Sequence, residues 1–179
     1  MSASVLTAQH ESGEDVQDDT PERPTLTIAD INNVFSPCNE QETRAVTERV
    51  FDLEKIMRTM PGLEIPVQHC FGDGVYARSI TIPKDTLLTG KVHLTNHINA
   101  VLKGSITVMT DAGMQRITAP ALFSSKAGTK RIGYAHEETI WVTFLGTNDT
   151  DVDVIEDKLI TNSIDEYRRI SGTVAETGE

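Results

Sequence analysis

The chain has 179 residues, 38% of them hydrophobic, and a formal net charge of −11, which is enough for one domain with a full core and short for two. The charge sits at the ends: residues 1–24 hold six acidic residues and one basic, residues 147–179 nine and three, and the middle twelve of each. A neutral centre lacks the basic surface that phosphate neutralisation needs, which argues against nucleic acid as a partner, and no window approaches the roughly 18 apolar residues of a membrane span.

Residues 1–24 are rich in Ser, Thr, Glu, Asp and Gln and close on Pro21 and Pro24. Such a stretch buries too little apolar surface to offset ordering and is expected as a flexible acidic tail, suited to keeping the particle soluble or to docking on a basic protein partner. Its start, MSASVLTAQHESGEDVQDD, has neither the basic n-region nor the apolar h-region of a secretory leader. Cys38 and Cys70 form no CxxC and fit two reduced thiols in a cytosolic protein.

The segment 25–62 contains QETRAVTERVFDLEKIMRTM, residues 41–60, whose Val46, Val50, Leu53, Met57 and Met60 recur at spacings of four and three. That spacing predicts one apolar helical stripe, widened by Phe51 and Ile56 and stopped by Pro61-Gly62, for packing on its own domain or on a second subunit. From 63 to 147 the pattern changes to short β-runs: VQHCF, GVYARSITI, TLLTGKVHL, INAVLKG, SITVMT, MQRITA, ALFSS, KRIGYA and TIWVTFLGT. Turn signals separate them, including Asp111-Ala-Gly113, where Gly113 is available for a positive φ. With no helix between the runs, a parallel βαβ architecture is excluded and an antiparallel sandwich or barrel expected. Residues 148–179 read as an acidic helical segment and tail, with Asp149 or Asp151 to cap a helix carrying Val154, Ile155 and Leu159, and Ser163 with Glu166 as a capping box for a last helix.

The stretch GKVHLTNHINAVLKG, Gly90 to Gly104, brings two histidines ahead of an apolar strand, and Lys126-Ala127-Gly128 makes a turn shortly before Arg131. On these residues the run from Ile82 to Phe144 resembles the cupin domain, over roughly 80 of the 179 residues. Counting back from Gly104, the family's glutamate position falls on His97, its second histidine on His93 and its first on Lys91; the histidine of its second motif falls on Arg131. The stretches GVYARSITIPKDTLLTGKVH and AGTKRIGYAHEETIW are also similar to uncharacterised cupin-like proteins of tailed bacteriophages. The resemblance implies a mainly β fold, a cupin-type antiparallel double-stranded β-helix (jelly-roll) barrel, with an N-terminal amphipathic helix and short C-terminal helices. It also implies a homodimer paired through an edge strand, and a bacterial host cytoplasm or a virion as location.

Alternating residues of such a barrel face inward, so positions 91, 93, 97, 99 and 131 are expected to converge. One expectation is a pocket for a polar or anionic small molecule, with Lys91, His93, His97 and Arg131 as a cationic mouth and Asn99 and Tyr76 as neutral partners. Neighbouring cations would keep its histidines neutral, a set nearer to metal-free cupin-fold sugar-nucleotide epimerases than to dioxygenases. The second is a structural or interaction protein, virion-associated or an assembly factor, using the barrel as scaffold. The third is an isomerase or oxygenase holding one divalent transition metal on His93, His97 and a third ligand, His136 or else His69 or Cys70. Smaller features carry no chemistry at this level: Gly72-Asp73-Gly74 is a turn with no helix behind it, Trp141 is expected in the barrel core, and Asn148-Asp-Thr150 is a glycosylation acceptor only in a secreted chain. Whether the protein is an enzyme stays open.

Overall fold

The computed structural model describes residues 5–7, 40–110 and 113–169. Its strands are β1 (Val5–Thr7), β2 (Val67–Gly72), β3 (Val75–Ile82), β4 (Thr86–Thr89), β5 (Val92–His93), β6 (His97–Lys103), β7 (Ser105–Thr110), β8 (Gly113–Thr118), β9 (Ala121–Ser125), β10 (Ile132–Ala135), β11 (Thr139–Gly146) and β12 (Ile160–Thr161). Two longer helices flank the barrel, α1 (Glu40–Met57) and α2 (Val152–Leu159), and residues 164–169 form a last helical turn and a half.

The expected β-runs form, except that TLLTGKVHL breaks at Gly90-Lys91 into β4 and β5, and every pairing is antiparallel. One five-stranded sheet runs β1-β4-β10-β7-β8, the other β2-β3-β11-β6-β9, with β12-β5 as a two-stranded ribbon. Ile80, Ile82 and Val101 of one sheet meet Leu88, Ile106, Val108 and Ala135 of the other in a single buried cluster, which makes the architecture an antiparallel jelly-roll barrel. The β7–β8 hairpin closes where expected, pairing Thr110 with Gly113, and Gly113 has φ +90°. At the β6–β7 corner only glycine fits: Gly104 has φ +82°, and a Cβ there would lie 2.3 Å from the carbonyl oxygen of Glu138.

The stripe on α1 packs on its own domain. Val50, Leu53 and Met57 bury against Leu87, Met109 and Ile132 on the outer face of the first sheet, and Phe51 turns toward Val92 and Tyr167. The helix ends at Met57 rather than Met60, because the chain tightens into i→i+3 bonds, Thr59 N–H to Ile56 O and Met60 N–H to Met57 O, ahead of Pro61. Asp151, the second of the two candidates, caps α2 by accepting from the amides of Asp153 and Val154, and Ser163 Oγ accepts from the Glu166 amide.

One expectation needs correcting. Within the N-terminal acidic tail, residues 5–7 are a strand paired with β4; the tail read as wholly flexible contributes an edge to the first sheet because β4 would otherwise leave its backbone groups unpaired on that side. The rest of the tail, Cys38 and the C-terminal residues 170–179 lie outside the described residues. Among the described residues no helix is long and apolar enough to cross a membrane.

Candidate functional site

The site lies between the sheets, and strand register defines its layers. On β3 the inward positions are Arg78, Ile80 and Ile82, all of which line one cavity. Arg78 pairs with Thr143 and Ile80 with Trp141; across β11, Thr143 pairs with Asn99 and Trp141 with Val101. One layer of this wall is therefore polar (Arg78, Thr143, Asn99) and the next apolar (Ile80, Trp141, Val101), about 7 Å apart along the strands. The opposite wall repeats the gradient. Gly133 pairs with Leu88 and with Val108, and two residues earlier on the same strand side Arg131 lines the cavity. Gly133 holds the floor open, since a Cβ there would meet Ile106 and Val108 methyl groups at 3.1 and 3.2 Å. The cavity, open to solvent, has a volume of about 100 Å³.

Lys91, His93, His97, Asn99 and Arg131 all line this cavity, so the alternation seen in the sequence converges them. Their states differ from one another. Lys91 Nζ is held at 2.8 Å by Glu156 Oε2 of α2, a partly buried pair that ties the ammonium to the C-terminal helix. Arg131 donates through Nη1 to the Met109 carbonyl and through Nη2 to Ser125 Oγ, both at 2.7 Å. Its guanidinium carries charge to the cavity while these donors are committed to the scaffold. Asn99 Nδ2 donates to the same Ser125 Oγ, and Asn99 Oδ1 accepts from Trp141 Nε1 and Thr143 Oγ1. Trp141, expected as plain core, thus packs on the core and also orients the polar layer.

The two imidazoles stand with ring centroids 4.1 Å apart. Burial, then His97, Arg78, Lys91 and Arg131, pulls the His93 pKa down to about 3, and burial with Arg131 lowers that of His97 against the opposing pull of the Thr95 carbonyl. Both rings are neutral at pH 7. His97 Nδ1 faces the Thr95 carbonyl at 3.1 Å; a carbonyl only accepts, so the proton sits on Nδ1 and Nε2 is an acceptor. His93 Nδ1 is buried without a hydrogen-bond partner.

Two residues expected here lie elsewhere. Tyr76 does not line the cavity: it buries with Leu145 and Ile155 beneath α2, and its hydroxyl meets His69 Nδ1 at 2.6 Å. His136 follows the last residue of β10 and turns to the outer face of the first sheet, where Nε2 meets Thr107 Oγ1 at 2.6 Å. With His69 on Tyr76 and Cys70 exposed, none of the named third ligands reaches His93 and His97, and among the described residues no three of His, Cys, Asp and Glu come together. Two neutral imidazoles facing two guanidiniums do not fit the divalent metal that a cupin-type site implies.

Arg78 was not among the expected residues, although the sequence carries its signal: in GVYARSITI it shares inward parity with Ile80 and Ile82. Among the described residues it donates no hydrogen bond to the protein, and burial lowers its pKa. The C-terminal arm also reaches the site. Ile160 lines the cavity because β12 pairs with β5, Ile160 opposite His93.

No protein-family model and no curated protein matches the sequence. Solved structures similar to it include KdgF from a Halomonas species, 13% identical over 51% of this chain and 88% of that one with a TM-score of 0.43. An acetylacetone dioxygenase from Acinetobacter johnsonii is 11% identical over 76% and 80%, TM-score 0.41. A cupin superfamily protein from Desulfitobacterium hafniense is 6% identical over 50% and 83%, TM-score 0.41. At this distance the chemistry of the site rests on its own residues.

Proposed function

We propose that this protein is a cupin-like binding protein for a small anion, held in the barrel between the two sheets. The observation that carries the proposal is Arg78: a guanidinium on the cavity wall with no hydrogen bond to the protein among the described residues, in a layer where the other polar groups are already tied to one another. The guanidinium is half-buried, and its donors face a cavity in which an anion can accept from them through a charge-assisted fork. An anion placed there takes the Arg78 fork, adds the charge of Arg131 without disturbing its scaffold bonds, and offers a partner to buried His93 Nδ1. Neutral imidazoles suit this arrangement, since they add no further positive charge to a site whose Lys91 is already balanced by Glu156.

Isothermal titration of the full chain with small carboxylates and inorganic phosphate tests it. A hydrogen-bonded charge contact is worth about 1.5–3 kcal/mol, so Arg78→Met should weaken binding by about 10- to 150-fold. Equal affinity in wild type and variant would remove Arg78 from the site.

A second reading, in which the barrel is a scaffold for a protein partner or a second copy, is favoured by the outer face of the second sheet. Ile98, Leu102 and Leu122 are exposed there at 48, 60 and 72%, next to one another through the pairings Ala100–Leu122 and Phe144–Ile98. The two readings use opposite faces of the same sheet and are compatible.

A further inference from the structure

From the layering of the cavity we infer that its ligand is a short aliphatic monocarboxylate, its carboxylate at Arg78 and its hydrocarbon tail pointing down the barrel. The inference rests on the anion-binding reading above and goes further by fixing both ends of the molecule. At the head, one uncommitted fork faces the cavity. Lys91 is paired with Glu156 and each Arg131 Nη gives one bond to the scaffold, to Met109 and Ser125, while the Arg78 fork suits one carboxylate bound through two parallel hydrogen bonds. A second carboxylate or a phosphate would bring further charge and acceptor oxygens toward groups that already hold scaffold partners, whereas the Arg78 fork matches one carboxylate.

At the tail end, the wall below Arg78 has no charged group. Ile80 and Trp141 on one sheet face Leu88, Ile106, Val108 and Gly133 on the other, so a second polar group placed there would be desolvated without a partner. Volume sets the length. A 150 Å³ apolar cavity takes benzene, and about 100 Å³ here, head and tail together, leaves room for a tail of about one to three carbons. Gly133 is the residue that provides this space, because any side chain at that position meets Ile106 and Val108. Ile160 of the C-terminal arm, paired opposite His93, adds an apolar side chain to the wall beside the head group.

The test is calorimetric titration of the full chain at pH 7 with acetate, propionate, butyrate and hexanoate, beside butyramide, malonate and inorganic phosphate. The expected result is an affinity that rises about fourfold per methylene from acetate to butyrate and stops rising by hexanoate. Butyramide, malonate and phosphate bind at least tenfold more weakly than butyrate. Arg78→Met should lose carboxylate binding, and Arg78→Lys, which keeps the charge and loses the fork, should lose at least fivefold while keeping the chain-length trend. Binding of phosphate or malonate at or above the butyrate affinity, or carboxylate binding with no dependence on chain length, overturns the inference and leaves the anion reading standing. Failure of every anion to bind overturns both.

Discussion

His93 shows how far a single environment moves a group. Its ring lies in the wall of the cavity against a second imidazole, with Arg78, Lys91 and Arg131 adding positive charge around it, and burial is the largest of the effects that hold its pKa near 3. In the unfolded chain the same ring titrates near 6.5. Between those two values the unfolded state binds the extra proton, so folding stability falls as pH drops from 6.5 toward 3, by about 1.4 kcal/mol per pH unit from this residue. The loss is complete only below the folded value, and above 6.5 the residue contributes no pH dependence. Urea unfolding at pH 7, 5.5 and 4.5 should show this slope, and His93→Gln should flatten it. An unchanged slope in the variant would mean that the ring is not held neutral by its surroundings. His97, shifted in the same direction, adds to the slope with the same sign.

At the scale of elements, α1 is fixed to the barrel by more than its apolar stripe. Lys130 Nζ lies 2.6 Å from Glu54 Oε2, with the two side chains 0 and 7% exposed, and stacks 4.6 Å from the centre of the Phe51 ring. Arg58, one turn on, reaches the other Glu54 oxygen at 3.3 Å. Removing one partner of a buried pair strands the other, so Glu54→Ala should destabilise the protein by about 3–5 kcal/mol. The double replacement Glu54→Leu/Lys130→Met should recover most of that, because a well-packed apolar pair avoids desolvating two charges. Denaturant midpoints of the three proteins decide it; a Glu54→Ala loss under 1 kcal/mol would show that the pair is solvated. Lys130 of the pair sits directly before Arg131, so α1 also fixes the segment that leads into β10 and carries this guanidinium.

For the whole molecule, the asymmetry between the two sheets matters most. The first sheet has α1 on its outer face, while the second leaves Ile98, Leu102 and Leu122 in solvent. Clustered apolar side chains on one sheet face are the mark of an interface more often than of a free surface. If a second copy covers this face, sedimentation equilibrium will give a dimer for the wild type and a monomer for Leu102→Glu/Leu122→Glu, with unchanged circular dichroism. A monomeric wild type would sink the pairing and leave this face to another protein. The net charge of −11 raises the repulsion between copies, so dimerisation should strengthen with salt.

Much of this was written in local pattern. Alternation in the β-runs is a property of neighbours along one strand, so the barrel, the cavity side of Lys91, His93, His97, Asn99 and Arg131, the packing stripe of α1 and the two C-terminal caps could all be read from the chain. What a side chain meets is a property of residues far apart in sequence, and there the tertiary structure decided. Glu156 lies 65 residues from Lys91 and pairs with it; Met109 and Ser125 each take a donor of Arg131; Thr107 holds His136 on the outer face and His69 meets Tyr76 away from the site. Arg78 stood in plain view at an inward position, but only the assembled barrel shows that Lys91 and Arg131 hold scaffold partners while it does not among the described residues. Parity is set by the two-residue period of a strand, whereas charge balance is set by which strands and helices the fold brings within a few ångströms of one another.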